Sequence, residues 1–456
     1  MHPVIEADER PTRADGARRR LAAAAGSRPG RAMTAAGRRV RENLGDPATV
    51  LALVFVAAFV ARVAWLNLPQ GALIFDEAYY VNAARVLLGW PVAEGAHYAG
   101  SVAGLDPNTE HPPLGKVLMA ISMLAFGDNG IGWRLPSVVA GMIALAATYR
   151  IVRTAGESAW MAVLVIGIVA FDNLTFVHGR IGTLDMLVLA PILVGSWLAM
   201  RGRWALAGVA VAIGFLIKIT AVYGVAAVLL LYLLQAGGRW WRARRIAPAD
   251  LRGPLVFCVT FVVVGLAGLA LLDARFTTFT SPIDHLRRIL EYGSNLGAPT
   301  TNTGFCPGAD SLPWQWIFNE CQIAYLRVDV TVSAGEQVLR AAPSIDFRGA
   351  LNPLLAGLIP LSALFVLWYA GRTRNGLALW AVAWGAANYL PFVALAVLTH
   401  RITYIYYLLQ RSRPSPRPSR SSSSGRGYRG SCSGGSWRHI SSALRPTSRS
   451  ARSPEP

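Results

Sequence analysis

Asp76 and Glu77, two adjacent carboxylates, arrive just after the first long apolar stretch of the chain, residues 50–68, and its break at Pro69-Gln70-Gly71. Charge at a membrane boundary is costly, so an acidic pair there is a site hypothesis in itself. Neighbours on a helix point about 100° apart, so the two need not share a role. One can take a proton as a general base while the other orients a ligand. The alternative is a pair of headgroup-level carboxylates hydrogen-bonded to nearby loops.

A second constellation is Asp106-Pro107-Asn108-Thr109-Glu110-His111-Pro112-Pro113-Leu114-Gly115-Lys116. The proline pair predicts a helix start, because proline fits the first turn. Lys116 then lies in or near that turn, where an ammonium and a helix N-terminus together favour phosphate. The competing reading is an interfacial helix whose lysine reaches into headgroups. A third runs His178-Gly179-Arg180-Ile181-Gly182-Thr183-Leu184-Asp185, with Asp172 before it and Arg134 opening a neighbouring apolar stretch. Asp185 near a membrane needs a cation or a water-filled cavity. Lys218 and Arg401 fall on the same side, Arg401 as a contact for lipid phosphate or as an interface anchor.

The elements that must position these residues are apolar helices. Of 456 residues, 53% are hydrophobic and 15% charged, and the charges gather in short blocks between apolar stretches. That is the pattern of an all-α polytopic membrane protein. Nine spans are expected at about 49–68, 135–152, 158–175, 183–200, 204–219, 221–236, 254–272, 351–370 and 377–398, with part of a tenth at 402–409. The division around Lys218-Ile219-Thr220 can equally be one span plus a re-entrant piece.

Basic residues follow the even-numbered spans: Arg150 and Arg153, Arg201 and Arg203, Arg239 to Arg245, Arg372 and Arg374. With a cytoplasmic N-terminus all of them fall inside. The net charge of +19 is thus accounted for by membrane orientation, and nucleic acid is not expected as a partner. Residues 1–48 read as a basic, disordered cytoplasmic tail. The long first external loop, 69–134, is expected to contain interfacial helices around 83–88 and 118–126. A second large external loop covers 273–350. Its Cys306 and Cys321 are placed to form a disulfide outside the cytoplasm, or to remain two free thiols.

Phe75-Asp76-Glu77-Ala78-Tyr79-Tyr80, His111-Pro112-Pro113-Leu114-Gly115-Lys116, Arg180 to Asp185 and Arg401-Ile402-Thr403-Tyr404-Ile405-Tyr406-Tyr407 occur in the order seen in protein O-mannosyltransferases. Over 49–409 the chain resembles that family, in its bacterial form without a β-trefoil domain. The resemblance implies a GT-C glycosyltransferase bundle in the plasma membrane with its active site outside the cytoplasm. It implies a polyprenyl-phosphate-mannose donor and Ser/Thr hydroxyls of exported proteins as acceptors. Asp76 is then the general base, and Glu77 orients acceptor or sugar. Lys116, Arg180 and Arg401 meet the lipid phosphate, and His111, Arg134, Asp172 and Asp185 support them. The scheme requires no metal or other cofactor. A transferase using an arabinose-type lipid donor and a lipid-linked sugar transporter are the competing functions. From 410 to 456 the chain turns to Arg, Ser, Pro and Gly, which suggests truncation or a shifted reading frame.

Overall fold

The computed structural model describes residues 44–295, 311–318, 320, 322–334, 337–399, 403, 404 and 407. All of them belong to the first of two compact units, Met1–Ser415 and Pro416–Pro456. Arg401, Cys306, Cys321 and the terminal segments 1–43 and 408–456 lie outside the described residues.

Helices form where apolar stretches follow a capping residue. Asp46 accepts hydrogen bonds from Ala48 N and Thr49 N and opens α1 (Pro47–Val63), with proline at its first position. The first loop then supplies two short helices, α2 (Glu77–Leu88) and α3 (Leu114–Phe126), at the places expected for them. α2 stops at Gly89, whose φ of 70° suits glycine. α3 starts directly after Pro113, as the proline pair predicts. α4 (Gly130–Thr154) is capped by Asn129, and α5 (Ala159–Phe171) by Ser158. One turn, α6 (Asn173–His178), is capped by Asp172.

α7 (Leu184–Met200) packs on α4 and on α8 (Trp204–Phe215), and α8 packs on α10 (Pro248–Phe276). Between α8 and α9 (Val222–Ala243) the helix breaks at Leu216 to Lys218 and continues through a 3-10 turn, Ile219–Ala221. α11 (Pro282–Asn295) and α12 (Pro313–Ile317) follow, then α13 (Pro353–Thr373) and α14 (Gly376–Leu398), the last packed on α9.

Five of these segments are long and apolar enough to cross a bilayer: 130–154, 219–243, 248–276, 353–373 and 376–398. At about 1.5 Å per residue, the 29 residues of α10 extend about 43 Å. Side chains such as Leu255, Leu271, Leu361 and Trp368 point outward and are exposed. An apolar exterior on helices of this length marks a multi-pass membrane protein. α1, α5, α7 and α8 also coincide with expected spans but are shorter, at 12 to 17 residues. α5 is cut by the Asp172 cap and α8 by the break before Lys218, so polar residues inside apolar stretches set those lengths.

One element departs from an all-helical reading. β1 (Ile323–Ala334) and β2 (Gln337–Gly349) form an antiparallel hairpin, paired from Ile323 with Gly349 to Ala334 with Gln337. The alternation of β-branched and polar residues in Val328-Asp329-Val330-Thr331-Val332 is a strand period. It lies within a loop that the apolar pattern alone leaves blank.

The first loop is fastened to the bundle by a buried ion pair. The Arg134 Nε and Nη2 donate to the two oxygens of Glu77 at 2.7 and 2.8 Å. Arg134 also donates to the carbonyls of Leu66, Leu68 and Ala72, so one guanidinium gathers the turn after α1 and the start of α2 onto α4. Both side chains are almost completely buried. Removing one partner strands the other charge, a loss of about 3–5 kcal/mol for a buried pair. Arg134→Ala is therefore expected to lower the unfolding midpoint in detergent sharply, and an unchanged melting curve would show that the pair does not hold the loop.

Candidate active site

Asp76 sits at the N-terminus of α2, directly after Phe75, whose backbone is in the left-handed region at φ 55°. That conformation is unfavourable for an aromatic residue and fixes the direction in which α2 begins. Asp76 does not cap its helix, and its partly buried carboxylate accepts no hydrogen bond from a described residue. Burial raises its pKa to about 7, the nearby Asp185 carboxylate adds to the rise, and Lys218 opposes it. A carboxylate without donors, poised near neutral pH, is suited to accept a proton.

Glu77 has the opposite environment. Its two oxygens take four donors: two from Arg134, Ile74 N at 2.7 Å and Gly182 N at 2.7 Å. It is fully buried. Direct orientation of an acceptor or sugar by Glu77, expected from the sequence, is replaced by a role in holding Asp76. A Cβ at Gly182 would be tight, 3.0 Å from the Trp133 carbonyl and 3.4 Å from Glu77 Cγ.

Asp185, in the first turn of α7, is ion-paired with Lys218 at 2.8 Å. Its other oxygen is 3.7 Å from His178 Nδ1. His178 is fully buried, and burial lowers its pKa to about 4 against the pull of Asp185, which keeps the ring neutral. Its Nε2 is 2.6 Å from the Tyr325 hydroxyl, and the Tyr325 ring centroid is 4.6 Å from that of Phe75. The hairpin thus touches the site through Tyr325.

Arg180 lies between His178 and Gly182. It is partly buried, donates Nη2 to the Ala64 carbonyl at 2.9 Å and stacks over Phe176. No described acceptor takes its Nε or Nη1, so donors remain for an anion.

Lys116 departs from both sequence readings. It is fully buried, pairs with Asp106 at 2.6 Å, and donates to the His111 carbonyl at 2.8 Å and to Asn108. Its three N–H groups are occupied, so it neither faces a phosphate nor reaches headgroups. Instead it folds residues 106–111 over the start of α3. That loop is also tied to α10 and α11: Asp106 N donates to the Phe276 carbonyl, and His285 bridges Asp273 and the Thr109 carbonyl. The α3 start docks on the α8–α9 break, where Leu114 N donates to the Leu216 carbonyl and Gly115 faces Leu184 and Ile217. His111 contributes its carbonyl to Lys116, and its ring is 6.0 Å from that of Tyr80.

Asp76, Asp185 and Lys218 thus meet at one end of the bundle, with Glu77, Arg134 and Gly182 braced beneath Asp76. Asp172 stands apart as the cap of α6, accepting from Thr175 N at 3.1 Å. Lys218 and Tyr325 were not assigned roles from sequence. The signal for Lys218 was present, a lone ammonium interrupting an apolar stretch, which demands a buried carboxylate partner. For Tyr325 there was none.

Residues 110–265 match the family model described as dolichyl-phosphate-mannose-protein mannosyltransferase. A polyprenol-phosphate-mannose–protein mannosyltransferase of Mycobacterium tuberculosis is 34% identical over 141 residues, 30% of this chain and 25% of the relative. The match therefore spans about a quarter of the length of that relative. A protein of the same description from Corynebacterium glutamicum is 25% identical over 415 residues, 75% of this chain and 76% of that one. Among solved structures, ArnT from Cupriavidus metallidurans bound to undecaprenyl phosphate aligns with a TM-score of 0.45 at 16% identity, covering 80% of this chain and 57% of that chain. The S. cerevisiae Pmt1-Pmt2 complex bound to the sugar donor aligns with a TM-score of 0.37 at 17% identity, covering 50% and 33%.

Proposed function

We propose that the protein transfers mannose from a polyprenyl-phosphate-mannose donor to Ser or Thr hydroxyls of exported proteins. The observation that carries this reading is Asp76, a carboxylate that takes no hydrogen bond from a described residue, with its pKa raised to about 7 and the charge of Lys218 acting on it. The names of the curated relatives and of the matching family support the sugar and the acceptor class.

In this scheme the acceptor oxygen attacks the anomeric carbon while its proton passes to Asp76. The bond from that carbon to the phosphate oxygen breaks, and polyprenyl phosphate leaves with the bonding pair. Arg180 offers its unused donors to the phosphate as charge grows there. Asp185 is ion-paired with Lys218 at 2.8 Å, and its charge adds to the rise in the Asp76 pKa. Glu77 and Arg134 hold the base in place.

The site belongs on the extracytoplasmic face. Arg153 and Arg201 stand at the ends of α4 and α7, the helices whose opening turns carry Arg134 and Asp185. Asn375 Nδ2 donates to Glu157 at 2.9 Å, and Arg374 to the Leu234 carbonyl at 3.3 Å, which draws the α4–α5 turn, the α13–α14 turn and the lower part of α9 together. A basic end on one side and the acidic site on the other satisfy the positive-inside rule with a cytoplasmic N-terminus.

Transfer of labelled mannose from the polyprenyl-phosphate donor to a Ser/Thr peptide by purified protein tests the reading. Asp76→Asn is expected to lower kcat by about 10²–10⁴-fold, and full turnover in a properly inserted variant would remove Asp76 from the chemistry. The base acts deprotonated, so kcat/KM should fall about tenfold per unit as pH drops below about 7 and level off above it. A profile flat from pH 5 to 8 would contradict that assignment. Arg180→Ala should raise the donor KM by about tenfold, the value of one charge-assisted contact. Lys116→Met should instead appear as lost stability, and the reverse pattern would restore Lys116 as the phosphate ligand.

A further inference from the structure

Beside the proposed base stands a feature that the transfer scheme does not use. Tyr79 follows Asp76 by three residues, so the two lie on one face at the start of α2. Its ring is 39% exposed. The exposed imidazole of His97 stacks on it, with centroids 4.0 Å apart and planes 24° from parallel. Tyr98 meets Tyr79 edge-on at 6.4 Å.

The loop carrying these rings is built rather than loose. Trp90 N and Gly104 N donate to the carbonyls of Arg85 and Val86, closing residues 90–104 onto the end of α2. Tyr98 is held with a left-handed backbone at φ 69°, which is unfavourable for a bulky residue and needs compensation from its surroundings. The compensation is visible. Asn108 Nδ2 donates to the Tyr98 hydroxyl at 2.8 Å and to Glu110 Oε2 at 2.6 Å, and Asn108 itself is held by Lys116. The buried ammonium therefore ends in a chain of contacts that sets the aromatic rings.

Glu110 is partly buried, and its second oxygen, Oε1, has no described donor. Burial raises the pKa of the Tyr79 phenol first, and the charges of Asp76 and Glu110 raise it further. A partly exposed aromatic ring on the helix face of Asp76, joined through Tyr98 and Asn108 to the carboxylate of Glu110, offers the two kinds of contact a pyranose needs. The C–H groups of such a ring rest on the negative face of an aromatic ring, and its hydroxyls donate to carboxylate oxygens. Stacking of two exposed rings does little for folding, since both remain wet.

We propose that Tyr79 and His97 form a stacking shelf for the hexose carried by the lipid donor, with Glu110 accepting from a hydroxyl at the end of the ring remote from Asp76. The shelf rests on the transfer reading for the identity of the sugar. It would make Tyr79, His97 and Glu110 sugar-recognition residues, and Tyr98 and Asn108 positioning residues.

The test is binding to the full chain in lipid nanodiscs, with polyprenyl-phosphate-mannose and sugar-free polyprenyl phosphate as separate probes. His97→Ala and Tyr79→Leu are expected to weaken binding of the mannosyl lipid about tenfold, while Tyr79→Phe stays within about twofold of the parent protein. Binding of the sugar-free lipid should be unchanged in all three. Equal loss for both lipids, or no loss for either, overturns the shelf. A loss seen only with a peptide already bearing mannose also overturns it, because the hexose would then belong to the acceptor. If the parent protein distinguishes the two lipids but forms no mannosyl peptide, the transfer reading fails while the binding comparison still decides the shelf.

Discussion

The arrangement at this end of the bundle depends on the Glu77–Arg134 pair. A buried ion pair costs desolvation of both charges, and its mutual attraction offsets that cost only when further hydrogen bonds complete the geometry. Here they do. All the acceptor capacity of Glu77 that faces protein is filled by Arg134, Ile74 N and Gly182 N, and Arg134 spends its remaining donors on three carbonyls of one turn. The yield is positional more than energetic. Four stretches of chain distant in sequence (the turn after α1, the start of α2, the start of α4 and the segment before α7) meet at one point. The direction of Asp76 follows from that meeting.

Asp76 and Glu77 show how neighbouring carboxylates acquire different functions. Chemically they differ by one methylene. Glu77 takes two donors from Arg134 and one each from Ile74 N and Gly182 N. Asp76 has no donor among the described residues, with a second carboxylate raising its pKa and the ammonium of Lys218 opposing that rise. Two groups one residue apart thus have opposite surroundings. Exchanging the two environments would require moving the helix start by a residue. Phe75, in its left-handed conformation, sets the direction in which α2 begins, with Glu77 fully buried and Asp76 partly buried.

The helices, their order and their breaks were legible because apolar periodicity and capping residues are local signals. Pro112-Pro113 marked the start of α3, and Lys218-Ile219-Thr220 marked the discontinuity after α8. Lys116 was misread for a physical reason: residue type and helix position say that an ammonium is near an N-terminus, but not whether its donors are already taken. Asp106 lay ten residues upstream within the same motif, and only the closed loop shows it at 2.6 Å from the ammonium. Glu77 was misread similarly, since its arginine is 57 residues away. The hairpin escaped because its strand pattern is short beside the long apolar stretches. Tyr325 meets His178 across 147 residues, a separation that no local pattern spans.

The hairpin contact bears on how the long loops and the helices are coupled. Tyr325 reaches the neutral ring of His178, whose other nitrogen is 3.2 Å from the Thr183 hydroxyl and approaches Asp185, the partner of Lys218 at the α8–α9 break. Polar contacts therefore run from the hairpin to the discontinuity between α8 and α9. A neutral His178 is the form that suits this position, because a charged ring would compete with Lys218 for Asp185 and weaken the influence of that carboxylate on Asp76. Asp185 raises the pKa of Asp76, and Lys218, its ion-pair partner, opposes that rise. The break in the helix provides that pairing: a continuous helix through residues 215–222 would carry Lys218 past the first turn of α7, whereas the unwound segment presents its ammonium to Asp185.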